Sequence, residues 1–343
     1  KTSRLSRVVE YAPADMVVEV EAGLTLAALQ KHLAPHRQRL ALDVPHAELA
    51  TLGGLVATNG FGPRRARYGS LRDAIVGVSL IRADGLRVRG GGKVVKNVAG
   101  FDLPKLAVGS LGSLGMIATA TFRLHPLPET ARSLRIAGCD GAMLDALGRD
   151  MLARQLEPSA YVAVLGASGS YDAYVLFEGF DAGVAEQAAA LETLALGRGL
   201  SAERLDGSTR PSKLDEEART HGDVRLRLTV PPADLEALER GALAPLLRVL
   251  GEPRGVIYPT LGIAFVSGFA AELAATAATI AEARRGVETL GGNLVVLEIR
   301  DGTLANEVDP YGALPGSFFL MQRLKERFDP DRRLNPGRFL GGL

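Results

Sequence analysis

The sequence predicts an α+β protein of two domains with a short C-terminal segment. Its 343 residues exceed what one small core needs. Near the start, the strand-like stretch MVVEVE is followed at once by the amphipathic helix TLAALQKHL. After Pro126 and Pro128 the chain changes to Ala- and Leu-rich helices that alternate with short strands. Together these observations favour one α+β unit before this point and a separate one after it.

The first strand is expected over residues 16–21. The helix begins after Gly23 with Thr25 as its first cap, and Leu26, Leu29 and Leu33 lie on one face at helical spacing. Residues 43–69, rich in Gly and Pro, are predicted to form a long loop. Loops of this length in compact domains are usually functional.

Two strands follow over 74–82 and 86–90, joined by Ala-Asp-Gly, and Gly85 supplies the positive φ of the hairpin turn. Asp102 is expected to cap the helix LPKLAVG. The strand MIATATFRLHP ends this part of the chain. The middle part is predicted to contain two successive sets of strands and helices. The helix SFFLMQRLKERF then precedes an irregular tail.

Composition excludes several classes of function. With 40 Lys and Arg against 39 Asp and Glu, the formal charge is +1, so no basic field for nucleic acid exists. The single cysteine, Cys139, allows no internal disulfide and no cysteine-held metal or iron–sulfur cluster in this sequence. No apolar run approaches the roughly 20 residues of a transmembrane helix. We expect a cytoplasmic protein, with peripheral association at the inner face of the cell membrane through partners left open.

The glycine-rich stretches TLGGLVATNGFG and AVGSLGSLGMI carry the chemical information. Glycine lets the backbone approach a ligand closely, and exposed N–H groups can cradle phosphate oxygens. Neither stretch is a P-loop, and GSLGSL does not lie between a strand and a helix as a Rossmann fingerprint must. Each stretch alone is therefore equally compatible with tight turns in a packed core.

Taken in order, several segments resemble the flavin-binding family of vanillyl-alcohol oxidase and p-cresol methylhydroxylase (VAO/PCMH), which includes FAD-linked D-2-hydroxyacid dehydrogenases and glycolate oxidase subunits. These segments are VEVEAGLTLAALQ, ATLGGLVATNGFGPRRARYG, GFDLPKLAVGSLGSLGMIATATFRL and FDPDRRLNPGRF. The resemblance implies a PCMH-type FAD-binding domain over 1–128, an α+β cap domain over 129–300, and a segment over 301–343 that returns to the flavin domain. The family has a further phosphate-binding loop upstream, so we expect an N-terminal part of the domain to precede residue 1.

The resemblance also implies the cofactor site, which would hold FAD without a covalent link. Its residues would approach the pyrophosphate and ribityl groups, line the next turn, or pass along the cofactor with backbone contacts. One departure from the family is Leu111, which replaces an acidic residue. The residues expected at FAD are Pro45, Thr51, Gly53, Gly54, Asn59, Gly60, Gly62, Tyr68, Gly69, Lys96, Asn97, Gly109, Ser110, Gly112, Gly115, Ile117 and Asn335.

Other polar residues give weaker indications of function. Arg64 and Arg65 could bind a substrate carboxylate, although an exposed arginine pair is more often solvated or an interface contact. The five histidines are scattered, and only His221 lies in the middle domain, so no metal site is expected. No residue stands out as the catalytic base.

The resemblance therefore implies the FAD-binding subunit of a glycolate oxidase-type complex, which oxidises a small 2-hydroxy acid. The expected partners are a sister flavin subunit carrying the base and an iron–sulfur subunit that accepts electrons. Two alternatives stay open. One is a self-sufficient D-2-hydroxyacid dehydrogenase that uses His221 as its base, and the other is an assembly subunit with a vestigial flavin site.

Overall fold

The computed structural model describes Thr2 and residues 4–92, 101–205 and 211–343. The chain divides into two compact units, Lys1–Leu127 with Ala313–Leu343, and Pro128–Gly312. The tail thus belongs with the first unit. Residues 301–312 were assigned to the returning segment but pack with the second unit, because Leu304 is buried in its core and the N–H of Val296 donates to the carbonyl of Pro310 at 2.8 Å.

A five-stranded antiparallel sheet forms the centre of the first unit. The strands of this part of the chain are β1 (Val8–Ala12), β2 (Val17–Glu21), β3 (Gln38–Arg39), β4 (Ile75–Ile81), β5 (Arg87–Gly91), β6 (Met116–Arg123) and β7 (His125–Pro126). The order in the sheet is β1-β2-β6-β4-β5, while β3 and β7 pair separately. The hairpin of β4 and β5 agrees with the prediction, and Gly85 has φ +81° in its turn.

Short helices pack beside this sheet. They are α1 (Leu26–Leu33), α2 (Leu52–Thr58), α3 (Arg65–Tyr68), α4 (Leu71–Ala74) and α5 (Leu103–Ala107). The three leucines predicted to share a face of α1 are all buried, and Thr25 caps the helix. Residues 43–69 were predicted to be a loop, and this is wrong in part. Thr51 can cap a helix, and the apolar side chains of Leu52, Leu55 and Val56 bury one face of α2 despite its two glycines.

An eight-stranded antiparallel sheet forms the second unit. Its strands are β8 (Thr130–Cys139), β9 (Ala160–Leu165), β10 (Tyr171–Gly179), β11 (Ala202–Leu205), β12 (Val224–Thr229), β13 (Leu250–Tyr258), β14 (Ile263–Ala270) and β15 (Asn293–Ile299), in the order β11-β8-β10-β9-β13-β14-β12-β15. The helices are α6 (Gly141–Ala153), α7 (Asp181–Gly197), α8 (Pro211–Thr220), α9 (Leu235–Leu238), α10 (Ala244–Val249), α11 (Leu273–Thr289) and α12 (Gly302–Glu307). A π turn, Glu239–Leu243, joins α9 to α10. Leucines of the helices pack on alternate strand residues to form the core.

The chain ends in α13 (Phe318–Phe328) and an irregular tail that closes with the 3₁₀ turn Leu340–Gly342. Within α13, Lys325 is buried, which is unusual for a lysine. No helix of the described residues is long and apolar enough to cross a membrane.

Candidate functional site

The first glycine-rich stretch forms the start of α2. Thr51 caps the helix by accepting the N–H of Gly54 at 3.3 Å, and the N–H of Gly53 donates to the carbonyl of Ala22 at 2.8 Å. A Cβ on Gly53 would lie 2.6 Å from the Cβ of Ala22, so this glycine is needed for close packing. Gly54 is exposed, and a Cβ there would contact only the Thr51 hydroxyl at 3.1 Å. Of the two glycines, Gly54 is therefore the one available to a ligand.

The end of α2 places a carboxamide in an unusual setting. Asn59 ends the helix in the left-handed conformation with φ +51°. Its Oδ1 atom is buried and has no hydrogen-bond partner among the described residues. Buried polar atoms are nearly always paired, so this oxygen is positioned to accept from a ligand donor or an ordered water. The neighbouring Gly60 is packed, because a Cβ on it would lie 2.6 Å from a methyl carbon of Leu55.

The second glycine-rich stretch, residues 109–115, which we call the glycine loop, lies against the end of α2. The N–H groups of Gly109 and Leu111 donate to the carbonyls of Val56 and Ala57 at 2.9 and 2.8 Å. These two groups satisfy carbonyls at the helix end and so are not available to phosphate. The side chain of Ser110 donates to the carbonyl of Ala107 at 2.7 Å. The loop is thus held in place by its own backbone contacts.

The tail returns to the glycine loop through Asn335. Its Nδ2 donates to the carbonyl of Leu111 at 2.6 Å. Gly112 has φ +72°, and a Cβ there would lie 2.7 Å from Nδ2 of Asn335. A glycine is required at this position by both its backbone conformation and the approach of the tail.

A cleft of about 580 Å³ lies between the glycine loop and the tail, within the first unit. This volume is in the usual range for sites that bind small molecules, about 300–1,000 Å³. Three of the predicted residues, Asn59, Gly109 and Ser110, contribute to its lining. The other lining residues are Arg72, Asp102, Lys105, Leu106, Val108, Ser113, Leu114, Met321, Leu324, Lys325, Phe339 and Leu343.

The side chains of the cleft suit FAD. Its flat rings have apolar faces, which the leucine, valine, methionine and phenylalanine side chains can cover. Its ring N–H and ribityl hydroxyl groups are donors that could pair with the unpartnered Oδ1 of Asn59. Arg72 adds positive charge at the lining, whereas the ammonium group of Lys105 pairs with Asp102 of the same lining at 3.1 Å. Asp102 caps α5, and hydrogen bonds from Lys105 outweigh its burial to lower the pKa of the carboxyl.

Tyr68 and Gly69 lie outside this lining. The Tyr68 hydroxyl accepts from Nη2 of Arg39 at 2.9 Å, and its ring meets the His125 ring edge-on with centroids 5.0 Å apart. Burial, with the charges of Arg123 and Arg39, lowers the pKa of His125. Gly69 has φ +78° beside Asp73. The Tyr68 hydroxyl and ring are thus both in contact with side chains of the protein.

Pro45 is half-buried in a turn of the segment that precedes α2, and it too lies outside the cleft lining. The following residue, His46, accepts the N–H groups of Leu49 and Ala50 through its carbonyl, both at 2.8 Å. The turn therefore leads the chain into Thr51 at the start of α2.

Arg64 and Arg65 contact residues of the loop in which they lie. The backbone N–H of Arg64 donates to Oδ1 of Asp43 at 3.0 Å, and its guanidinium lies 3.3 Å from Oδ2. The guanidinium of Arg65 stacks over Phe61 at 4.3 Å. Gly62 is required here, since a Cβ would lie 1.9 Å from the Asp43 carbonyl oxygen. The charge of Arg64 is thus compensated by a buried carboxylate, which gives no support to a substrate role.

Two further predicted residues lie in β6 or directly before it. Ile117 is buried in the core of the first unit and pairs in register with Leu80. Gly115 lies where a Cβ would be 3.3 Å from the Ile81 carbonyl oxygen. The Ile117 side chain therefore packs in the core and does not line the cleft. Lys96 and Asn97 lie outside the described residues.

The second unit contains a buried polar cluster that the sequence analysis missed. The carboxylate of Asp215 pairs with Arg219 at 3.1 Å and accepts from the Tyr258 hydroxyl. The Arg219 guanidinium stacks over Phe265 at 4.0 Å. The spacing of Asp215 and Arg219, four residues apart on α8, was the available signal, but it is common on exposed helix faces. The pair is buried because Tyr258 of β13 and Phe265 of β14 pack against it.

His221, the base of the self-sufficient alternative, lies next to this helix. Its Nε2 is 3.7 Å from a carboxylate oxygen of Glu252, and its ring meets Phe269 edge-on at 5.2 Å. Among the described residues, no group of three or more His, Cys, Asp or Glu side chains is arranged to hold a metal ion.

Several known proteins are similar to this chain. Residues 1–91 match the family described as "FAD binding domain". The chain is similar to glycolate oxidase subunit GlcE of Escherichia coli, with 40% identity over 37% of this chain and 37% of that protein. It is also similar to a D-lactate dehydrogenase of Archaeoglobus fulgidus, with 29% identity over 94% of this chain and 76% of that protein. The match to GlcE thus spans well under half of either chain.

Glycolate oxidase subunit GlcD of Bacillus subtilis is 41% identical over 27% of this chain and 20% of that protein. A solved structure of alkyldihydroxyacetonephosphate synthase superposes with a TM-score of 0.71 and covers 98% of this chain and 67% of that one, at 17% identity. At that identity the likeness concerns the fold. The fold is the VAO/PCMH type, and the FAD-binding domain matched over residues 1–91 indicates FAD as the cofactor.

Proposed function

We propose that this chain is the FAD-binding subunit of a glycolate oxidase-type complex that oxidises a small 2-hydroxy acid to the 2-oxo acid. The observation that carries the proposal is the cleft of the first unit, where an unpartnered buried oxygen of Asn59 meets the glycine loop. The family match and the names of the similar proteins support the substrate class. Bound FAD supplies an acceptor for the hydride that leaves C2 of the hydroxy acid.

This chain's own residues would bind and orient the cofactor. Asn59 offers an acceptor to a donor of the cofactor, and Gly54 offers exposed backbone. Arg72 lines the cleft with a positive charge, and Lys105 lines it as the ion-pair partner of Asp102. Lysine and arginine side chains at such a site favour anionic groups. None of these groups has the role of a base for the substrate hydroxyl.

We infer that the base and the onward electron acceptor come from partner subunits. Cys139 is buried, and burial raises the pKa of its thiol to about 11, so it is an inert core residue. Electrons must leave the reduced flavin, and a sister flavin subunit and an iron–sulfur subunit are the partners proposed for this. We also propose a cytoplasmic location, with association at the inner face of the cell membrane through these partners left open.

The test has two parts. The absorbance spectrum of the purified protein should show bound flavin, and its absence would favour the assembly subunit with a vestigial site. The isolated chain should not reduce a dye with glycolate or D-lactate, whereas the complex purified from its native source should. Turnover by the isolated chain near the rate of the complex would favour the self-sufficient enzyme, and loss of that turnover in His221→Gln would identify its base.

A further inference from the structure

The tail of the chain is fastened to the glycine loop by a buried lysine. The Nζ atom of Lys325 donates to the carbonyls of Ser113 and Leu334 at 2.9 and 2.8 Å, and to Oδ2 of Asp329 at 2.6 Å. An ammonium group has three hydrogens, so all of them are used. The side chain of Lys325 is only 3% exposed, and burying such a charge is costly unless it is fully paired.

Asp329 completes the arrangement. Its side chain is fully buried, and its two oxygens accept the backbone N–H groups of Arg333 and Leu334 at 2.9 and 2.7 Å. Burial alone would raise the pKa of Asp329, but the hydrogen bonds from Lys325 and from these N–H groups outweigh it and lower the pKa. The carboxylate is therefore ionised and shapes the turn after α13.

These contacts join parts of the chain that are far apart in sequence. Lys325 and Ser113 are separated by 212 residues, and the second contact, Asn335 to the carbonyl of Leu111, spans 224 residues. Both acceptors are carbonyls of the glycine loop. If the ion pair of Lys325 and Asp329 only stabilised α13, Lys325 would not need to contact the glycine loop as well.

The same elements form two walls of the cleft. Gly109, Ser110 and Leu114 line it from the glycine loop, while Met321 and Phe339 line it from the tail. Any change in the distance between loop and tail therefore changes the width of the cleft. Lys325 and Asn335 set this distance, because each holds a loop carbonyl from the tail.

We propose that Lys325, Asp329 and Asn335, which we call the tail latch, are positioning residues that hold the glycine loop at the cleft, so that FAD affinity depends on a docked tail. The proposal rests on the proposed function only in assigning the cleft to FAD. It requires no contact between the latch and the cofactor. A role in stability alone would leave the affinity of the folded protein for FAD unchanged.

The experiment measures FAD binding by the full-length protein, from the quenching of flavin fluorescence, beside its thermal stability. The main variant combines Lys325→Met with Asp329→Asn, which removes both charges and keeps an acceptor for the turn. We expect the Kd for FAD to rise about tenfold or more, as for loss of a charge-assisted hydrogen bond. Asn335→Ala, which is expected to fold normally, should raise the Kd about threefold.

Amide hydrogen exchange separates positioning from stability. In the free variants, peptides covering residues 109–116 should exchange faster, with little change in the second unit. The matched control is Arg219→Met with Asp215→Asn, which removes a buried ion pair of 3.1 Å, also four residues apart on one helix, from the second unit and should leave the Kd unchanged.

The outcomes are distinct. If the unaltered protein binds no FAD, the cofactor assignment of the cleft fails together with the proposed function. If it binds FAD but both latch variants keep its Kd within about twofold, the latch is only structural and the inference is wrong. An equal rise in the control would also overturn it. If the charge-pair variant does not fold, Asn335→Ala decides the question alone.

Discussion

Gly112→Ala tests whether the glycine loop and the tail are as close as the structure places them. A left-handed residue other than glycine costs about 1–2 kcal/mol, partly offset by about 0.4–1 kcal/mol from the less flexible unfolded chain. At φ +72° the new Cβ would also lie 2.7 Å from Nδ2 of Asn335 and displace it from the Leu111 carbonyl. That hydrogen bond is worth about 1 kcal/mol. We expect the free energy of unfolding of the first unit to fall by about 2 kcal/mol.

Two further variants divide this loss into its parts. Gly85 has φ +81° with no atom within 4 Å of its Cβ position, so Gly85→Ala should cost only the backbone part, about 1 kcal/mol. In the background of Asn335→Ala, the cost of Gly112→Ala should drop to the same value, since the displaced side chain is already gone. This non-additivity is the signature of direct contact.

The assay is urea unfolding followed by circular dichroism, with amide exchange of residues 101–125 used to assign the transition to the first unit. The reasoning is refuted if Gly112→Ala and Gly85→Ala destabilise equally, within about 0.5 kcal/mol. It is also refuted if the effects of Gly112→Ala and Asn335→Ala simply add.

Three other predictions follow from the site. Acid precipitation should release the yellow colour into the supernatant, because no residue present matches a flavin-linking position of the family, and colour retained in the pellet would contradict this. Gly54→Val should lower FAD affinity about tenfold or more with a near-native circular dichroism spectrum, since Gly54 is exposed and its Cβ would contact only the Thr51 hydroxyl, at 3.1 Å, and unchanged stoichiometric FAD would show that Gly54 does not face the ligand. Because the pKa of His125 is lowered in the folded protein, the unfolded chain binds the proton more readily, and the free energy of unfolding should fall as the pH drops below about 6.5. This fall should be smaller in His125→Gln, and an equal change of the urea midpoint between about pH 7 and about pH 5 in the two proteins would count against the prediction.

Local signals in the sequence were sufficient for much of the first unit. The leucine spacing of α1, the Thr25 cap, the hairpin turn at Gly85 and the Asp102 cap each depend on residues only a few positions apart. Such patterns predict structure because helix and turn geometry is set by neighbours along the chain. Local signals also gave a wrong prediction at residues 52–58, where two glycines suggested a loop but buried apolar side chains stabilise a helix.

The residues alone predict an α+β fold of two units, and their ordered glycine segments resemble those of an FAD-binding family. The folded structure was needed to tell which predicted residues share a cleft. It brought Asn59 and the glycine loop to the tail, placed Ile117 in the core, and paired Arg64 with Asp43. The partner of a buried charge or polar atom lies across the fold, as Ser113 does for Lys325, and no spacing along the chain encodes it. The spacing of glycines indicates where the backbone can turn or approach a ligand closely, whereas packing decides which polar groups remain available to that ligand.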